Sequence, residues 1–235
     1  MMLYEGKAKR IYETEDAGIV RVEYKDEATA FNAEKKANIT GKGQLNNTIT
    51  SFIFKKLHEA GVDNHFVEKI SETEQLVKRV AIVPIEVVVR NTVAGSLSKR
   101  LGIEEGTVLK QPLVEFYYKN DDLGDPLITE DHIKVLEAAT PDQLSEIKEK
   151  ALKINEVLQN LFNNINIELV DFKLEFGLTD GGQLLLADEI SPDTCRLWDK
   201  ESRQKLDKDV FRRDLGDLTA AYREILNRLE GTDHV

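Results

Sequence analysis

In Val170-Asp171-Phe172-Lys173-Leu174-Glu175-Phe176, apolar and charged residues alternate strictly, as they do in a strand with one buried face. Asp171, Lys173 and Glu175 therefore share the other face. Thr179-Asp180-Gly181-Gly182 is a turn, and Gln183 to Ile190 returns as a second strand. A tight turn that sets 178 against 183 also sets 173 against 188 and 175 against 186. That register puts Asp188 on the face of Lys173 and Glu175, diagonally across from Glu175. Two carboxylates and a lysine on one sheet face read either as a solvated salt-bridge ladder or as a magnesium site. Mg²⁺ takes one or two protein carboxylates and completes its shell with water and phosphate oxygens.

Beyond this hairpin, Ser191-Pro192-Asp193-Thr194-Cys195-Arg196-Leu197-Trp198-Asp199-Lys200 reads as a polar loop with one arginine at its centre. Arg196 offers the planar fork that carboxylates and phosphates select, although a capping or interface role stays open. Upstream, Ile82 to Val89 is apolar enough for a strand buried on both faces, and it delivers Arg90 to its end. The small residues Asn91 to Gly95 then open a short helix, where Ser96 and Arg90 would make an anion pocket. Arg90 also reads more simply as the strand reaching solvent.

At the amino terminus, Leu3 to Thr14 and Ile19 to Tyr24 read as a hairpin around Glu15-Asp16-Ala17-Gly18. Lys7 and Lys9, two apart, then share a strand face, either as a cover for nucleotide phosphates or as lysines blunting a sheet edge. Leu45, Ile49, Phe52, Ile53 and Leu57 predict a helix that stops at Gly61, and strands follow at 65–70 and 75–80. Thr140-Pro141-Asp142-Gln143 is a capping-box start for a helix running to about Asn164, and a further helix is predicted over 209–229. The lobes divide near residues 80–83, giving an N-terminal lobe over 1–82 and a C-terminal lobe over 83–235.

Bulk properties narrow the class. The 235 residues carry 32 basic and 43 acidic side chains, a net charge of −11, which disfavours nucleic acid and anionic membranes as partners. No apolar run approaches the roughly 20 residues of a membrane span, and no signal-peptide pattern opens the chain. The single cysteine, Cys195, excludes an internal disulfide and points to the cytoplasm. It has no evident activating histidine, and His58, His65, His132 and His234 show no metal-ligand spacing. Neither GxxxxGK[ST], GxGxxG nor GxSxG occurs.

Tyr4-Glu5-Gly6-Lys7-Ala8-Lys9, Val88-Val89-Arg90-Asn91 with Ala94-Gly95-Ser96, Val170 to Gly177, and Asp188-Glu189-Ile190-Ser191-Pro192-Asp193 with Arg196 to Lys200 together resemble the SAICAR synthetase (phosphoribosylaminoimidazole-succinocarboxamide synthase) family, over essentially the whole chain. The resemblance implies an α+β fold with a small antiparallel N-terminal lobe, a larger mixed C-terminal lobe and an ATP cleft between them. It implies an ATP-dependent ligase of purine biosynthesis that joins L-aspartate to 5-amino-1-(5-phosphoribosyl)imidazole-4-carboxylate. By position, Lys7, Lys9, Lys173, Glu175 and Asp188 carry catalysis. Lys7, Ala8, Lys9, Val77, Lys78, Ile82, Lys119, Glu175 and Asp188 bind ATP, with Val77 to Ile82 as the adenine-side hinge. Glu175 and Asp188 hold Mg²⁺. Arg90, Ser96, Asp171, Lys173, Asp193, Arg196 and Arg212 form the imidazole nucleotide pocket. A homodimer is in keeping with the family. A small-molecule kinase and a non-catalytic nucleotide sensor are the alternatives. The aspartate site is not identified, and the 30–43 region with Lys35, Lys36, Asn38 and Gly41-Lys42-Gly43 is a candidate loop.

Overall fold

A computed structural model describes residues 1–30 and 34–231. In chain order the elements are β1 (Met2–Glu5), β2 (Lys9–Glu13), β3 (Ile19–Tyr24), β4 (Glu27–Ala30), β5 (Lys35–Asn38), α1 (Lys42–Glu59), β6 (Phe66–Lys69), β7 (Glu74–Lys78), β8 (Ala81–Thr92), α2 (Gly95–Leu101), β9 (Val108–Tyr118), β10 (Leu127–Ile128), α3 (Glu130–Val135), α4 (Pro141–Asn163), β11 (Ile167–Leu178), β12 (Leu184–Ala187), β13 (Cys195–Asp199), α5 (Asp209–Arg212) and α6 (Leu218–Glu230). Part of the 30–43 loop, residues 31–33, lies outside the described residues, as does His234.

Two large antiparallel sheets and a separate β4-β5 pair organise the strands, and with the helices they make the fold α+β as expected. The smaller runs β1-β2-β3-β7-β6; the larger runs β10-β9-β8-β11-β12, with β13 also paired to β11. β8 and β11 form the centre of the larger sheet, and their alternation sorts the side chains. Val83, Ile85, Val87 and Val89 from β8 join Phe172, Leu174 and Phe176 from β11 in the main core, against Ile147, Ile154 and Leu158 of α4. The opposite face carries Glu86, Val88 and Arg90 beside Glu175, Lys173 and Asp171. β8 is thus buried fully on one face only; Glu86 and Val88 are half-buried and Ile82 is exposed, so its apolar run is a less complete guide than its alternation.

Helix α4 begins at the capping box, with Thr140 and Gln143 exchanging side-chain and backbone hydrogen bonds and Pro141 in the first turn. Helix α1 ends as predicted before Gly61, whose φ of +75° suits glycine. Although α1 comes from the N-terminal segment, its Ile49, Ile53, Phe54 and Leu57 are buried in the same core as α4 and α6. Among the described residues, no helix is long and apolar enough to cross a membrane.

Three local expectations are corrected. The first run does not stay extended: Gly6 N donates to Lys9 O at 2.8 Å, closing a hairpin whose loop holds Lys7 and separates it from Lys9. The helix predicted over 209–229 breaks between α5 and α6, where Asp214 and Gly216 take φ of 53° and 146° and Asp217 caps a new start. The polar segment around Arg196 is strand β13 rather than loop, because it pairs with the first half of β11.

Candidate active site

β11 shares one long edge between two partners. Ile167 to Phe172 pair with β13, and Glu175 to Leu178 pair with β12. At Lys173 that edge is left to the segment joining them, and Lys173 N donates to Thr194 O at 2.9 Å. The fork carries Asp188, Glu189 and Asp193 to the middle of β11. On the other edge, Glu175 stands opposite Glu86 and Asp171 opposite Arg90. One strand therefore gathers charges from three segments on a single face.

The hairpin register differs from the expected one by a residue: Glu175 pairs with Ala187 and Leu178 with Leu184. The cause is the turn, where Thr179 N donates to Gln183 O and Gly182 N to Thr179 O, consuming Gln183. Regular alternation would then aim Asp188 away from Glu175. Asp188 lies beyond the end of β12 with φ of 58°, and this left-handed residue returns its carboxylate to the face of Lys173. Asp is among the few residues that adopt this conformation at modest cost.

Lysines and carboxylates interlock there. Glu175 Oε1 accepts from Lys119 at 2.9 Å and from Lys173 at 2.7 Å, and Lys173 also donates to Glu86 Oε1 at 2.8 Å. Lys9 donates to Asp188 and lies 3.1 Å from Glu189 Oε1. Burial works against these charges, yet Lys9 and Lys173 hold the Asp188 carboxyl below its ordinary pKa, and the carboxylates hold both lysines above theirs. His65 is buried behind them with Nε2 3.1 Å from the Asp188 carbonyl, and burial pushes its pKa down to about 4. Lys7 is set apart, exposed and bonded to Asp121 Oδ1 at 2.6 Å.

A second network lies towards β9 and α5. Arg90, 3% exposed, donates to Glu115 from Nε, to Asp171 from Nη1, and to Ser96 and Tyr117 from Nη2. Arg100 also reaches Ser96, Tyr117 and Glu115. Arg196 shares Asp171 with Arg90 and donates from Nε to Asp209 Oδ2 at 3.1 Å. Its guanidinium lies against the backbone of Gly95, where φ is +55° and any Cβ would collide with it. Burial opposes ionisation of Asp209, but Arg196 and Arg212 lower its pKa to about 2.

The sign of this shift fixes a pH dependence. Asp209 stabilises the fold fully above its ordinary carboxylate range, and that contribution is lost as pH falls through about 2. Asp209→Asn is expected to lower the urea midpoint at pH 7 and to flatten its decline between about pH 4 and pH 2. An unchanged acid limb in the variant would mean that the two arginines find other partners.

Residues of both networks line one cleft of about 890 Å³. Lys7, Ala8, Lys9, Val77, Lys78, Ile82, Arg90, Lys119, Asp171, Lys173, Glu175, Asp188, Asp193, Arg196 and Arg212 all border it. Ser96 stands one contact behind, on Arg90. Ile11, Val20, Val22 and Val77 make an apolar end on the smaller sheet, opposite the charged face. The sequence reading missed Glu86, Glu189 and Lys208, which also border the cleft. Glu86 could have been found, since it falls on the face of Arg90 in an alternating strand.

Comparison with known proteins gives this cleft its context. Residues 2–229 match the family described as SAICAR synthetase. The chain belongs to the SAICAR synthetase family. A phosphoribosylaminoimidazole-succinocarboxamide synthase of Bacillus cytotoxicus is 68% identical over 234 residues, covering 100% of this chain and 98% of the relative. A crystal structure of the enzyme of that name from Ehrlichia chaffeensis superposes with a TM-score of 0.96 at 50% identity, over 98% of both chains. A SAICAR synthetase (Type-2) in complex with ADP superposes at 0.95 with 49% identity, again over 98% of both.

The donor chemistry at the fork suits a hard cation. It is made of carboxylate oxygens, and one ammonium, Lys173, already reaches both Glu175 at 2.7 Å and Asp188 at 3.9 Å. Among the described residues, no three of His, Cys, Asp or Glu form a metal-holding group, so an ion here would draw other ligands from substrate and water.

Proposed function

We infer that the chain is an ATP-dependent carboxylate–amine ligase of purine biosynthesis. It joins L-aspartate to 5-amino-1-(5-phosphoribosyl)imidazole-4-carboxylate, yielding SAICAR, ADP and phosphate. Family membership supports the reaction. The observation that carries its placement is the fork at Lys173, where three lysines face four carboxylates beside an arginine network, within one cleft. The activity is assigned to the cytoplasm, with residues 1–82 covering the nucleotide and 83–235 carrying the other substrates.

The chemistry follows from the substrates. A carboxylate does not accept an amine at neutral pH because oxide would have to leave. Attack of a carboxylate oxygen on the γ-phosphorus breaks the bond to ADP and gives an acyl phosphate. The aspartate amine then displaces phosphate and loses a proton. Lys9 and Lys173 would hold the γ-phosphate against the attacking oxygen, trading their carboxylate partners for phosphate oxygens. Lys119 adds positive charge from β9's end. Mg²⁺ bound by Glu175 and Asp188 would neutralise charge on the phosphate oxygens. The apolar end formed by Val20, Val22 and Val77 suits adenine. Water must be kept out, since an acyl phosphate hydrolyses readily.

Oxygen labelling tests the reading. Imidazole substrate carrying ¹⁸O in its carboxylate is expected to deliver one labelled oxygen to inorganic phosphate per amide formed, with ADP release that requires aspartate. Lys9→Ala is expected to lower kcat by about 10²-fold, more than it raises the KM for ATP, and more than Lys7→Ala does. Unlabelled phosphate beside normal amide formation would exclude the acyl phosphate. ADP release indifferent to aspartate would mark a kinase.

A further inference from the structure

Lys208 is a cation of the cleft that the roles above leave unused. Its side chain is 15% exposed and borders the cleft, with the ammonium 3.8 Å from Asp193 Oδ2. That carboxylate is already engaged. Lys42, 1% exposed, sits 2.7 Å from the same oxygen, and the Tyr222 hydroxyl donates to Oδ1. One carboxylate thus faces two ammonium groups withdrawn from water, and Lys42 Nζ makes its ion pair without an aligned hydrogen bond. Leaving a charge unbalanced in such a place is costly unless a ligand completes it. Burial, with Lys42 and Arg212 nearby, lowers the pKa of Lys208, the response expected of a cation short of counter-charge.

Arg212 repeats the pattern. Arg212 N donates to Lys208 O at 3.0 Å, so the two side chains leave the same face of one helical turn. Arg212 pairs with Asp209 at 2.7 Å, but Asp209 also serves Arg196 at 3.1 Å and Arg213 at 3.8 Å. Two cations, each with a shared counter-ion, therefore border the cleft together. They border the same cleft as Lys9, Lys173, Asp188 and Glu189. The Arg90 cluster, by contrast, is bound to Asp171 and Glu115 on the β9 side.

We propose that Lys208 and Arg212 form the subsite for the two carboxylates of L-aspartate, in the cleft that also holds Lys9 and Lys173; this moves Arg212 out of the imidazole nucleotide pocket that the resemblance implied, and it rests on the ligase reading. The amino acid would supply the negative charge that Asp193 and Asp209 divide among too many cations.

The test is steady-state kinetics of the intact protein, varying each substrate in turn, for wild type, Lys208→Met and Lys208→Arg. Losing a charge-assisted hydrogen bond predicts that Lys208→Met raises the KM for L-aspartate about 10–100-fold, with the KM values for ATP and the imidazole ribonucleotide within about twofold. Lys208→Arg restores most of the loss. L-malate, a dicarboxylate without the amine, should compete with aspartate and weaken by a similar factor in Lys208→Met. Removing Lys208 leaves Asp193 paired one-to-one with Lys42, so the thermal midpoint should hold. An unchanged KM for aspartate, or an effect falling on the ribonucleotide instead, would overturn the proposal. A wild type whose ADP release ignores aspartate would overturn the ligase reading, and this proposal with it.

Discussion

Glu175→Gln and Asp188→Asn are each expected to lower kcat by at least about 10²-fold at saturating magnesium while leaving the fold intact. Both substitutions keep shape and remove one negative charge from the fork. The structure explains why the fold should survive: Lys173 loses Glu175 or Asp188 but retains Glu86 at 2.8 Å. Asparagine is also the right replacement at position 188, because it tolerates the left-handed backbone found there, which alanine does not. A second readout separates ion binding from turnover. Mn²⁺ measured by electron paramagnetic resonance in the presence of ADP should bind more weakly to either variant. Near-normal kinetics together with unchanged Mn²⁺ affinity would remove both residues from the metal assignment.

The other large effect is on stability. Asp171, 3% exposed, accepts from Arg90 Nη1 at 2.7 Å and from Arg196 Nη1 at 3.0 Å. Asp171→Ala leaves two guanidiniums, one from each strand flanking β11, without the carboxylate between them, and breaking a buried ion pair this way costs about 3–5 kcal/mol. For a chain of this size that is a fall of roughly 6–20 °C in Tm. Arg90→Met combined with Asp171→Leu should recover part of it, since apolar replacement of a buried pair is cheaper than orphaning one partner. A loss under about 1 kcal/mol in Asp171→Ala would mean that Glu115 and Asp209 suffice for both arginines.

Much of this site is written in two-residue periodicity. Asp171, Lys173 and Glu175 alternate with Phe172, Leu174 and Phe176, so their common face needs no tertiary information. Local capping chemistry was equally legible at Thr140 to Gln143. Asp188 shows the limit of that approach. Its face was inferred from a register one residue out, and the correct outcome depends on a left-handed residue that alternation cannot encode. Lys7 and Lys9 failed in the opposite sense, because Gly6 permits a hairpin where a continuous strand was expected. The break after Arg212 was hidden too: Phe211, Leu215, Leu218 and Tyr222 keep helical spacing across a kink made by Asp214 and Gly216. Lys42 and Asp193 were each singled out, in the candidate 30–43 loop and in the implied nucleotide pocket, but Lys208 had no sequence signal and the meeting of the three joins separate segments.

Helix α1 also has a consequence for synthesis. Its apolar stripe of Ile49, Ile53, Phe54 and Leu57 is completed by α6, which begins only at Leu218. On a translating ribosome β3, β6 and β7 can cover part of α1 early, but the part that α6 covers stays bare until nearly all the described chain has emerged. The nascent protein therefore carries a sticky helix through most of its own elongation, which makes it a natural client for chaperones that shield apolar segments.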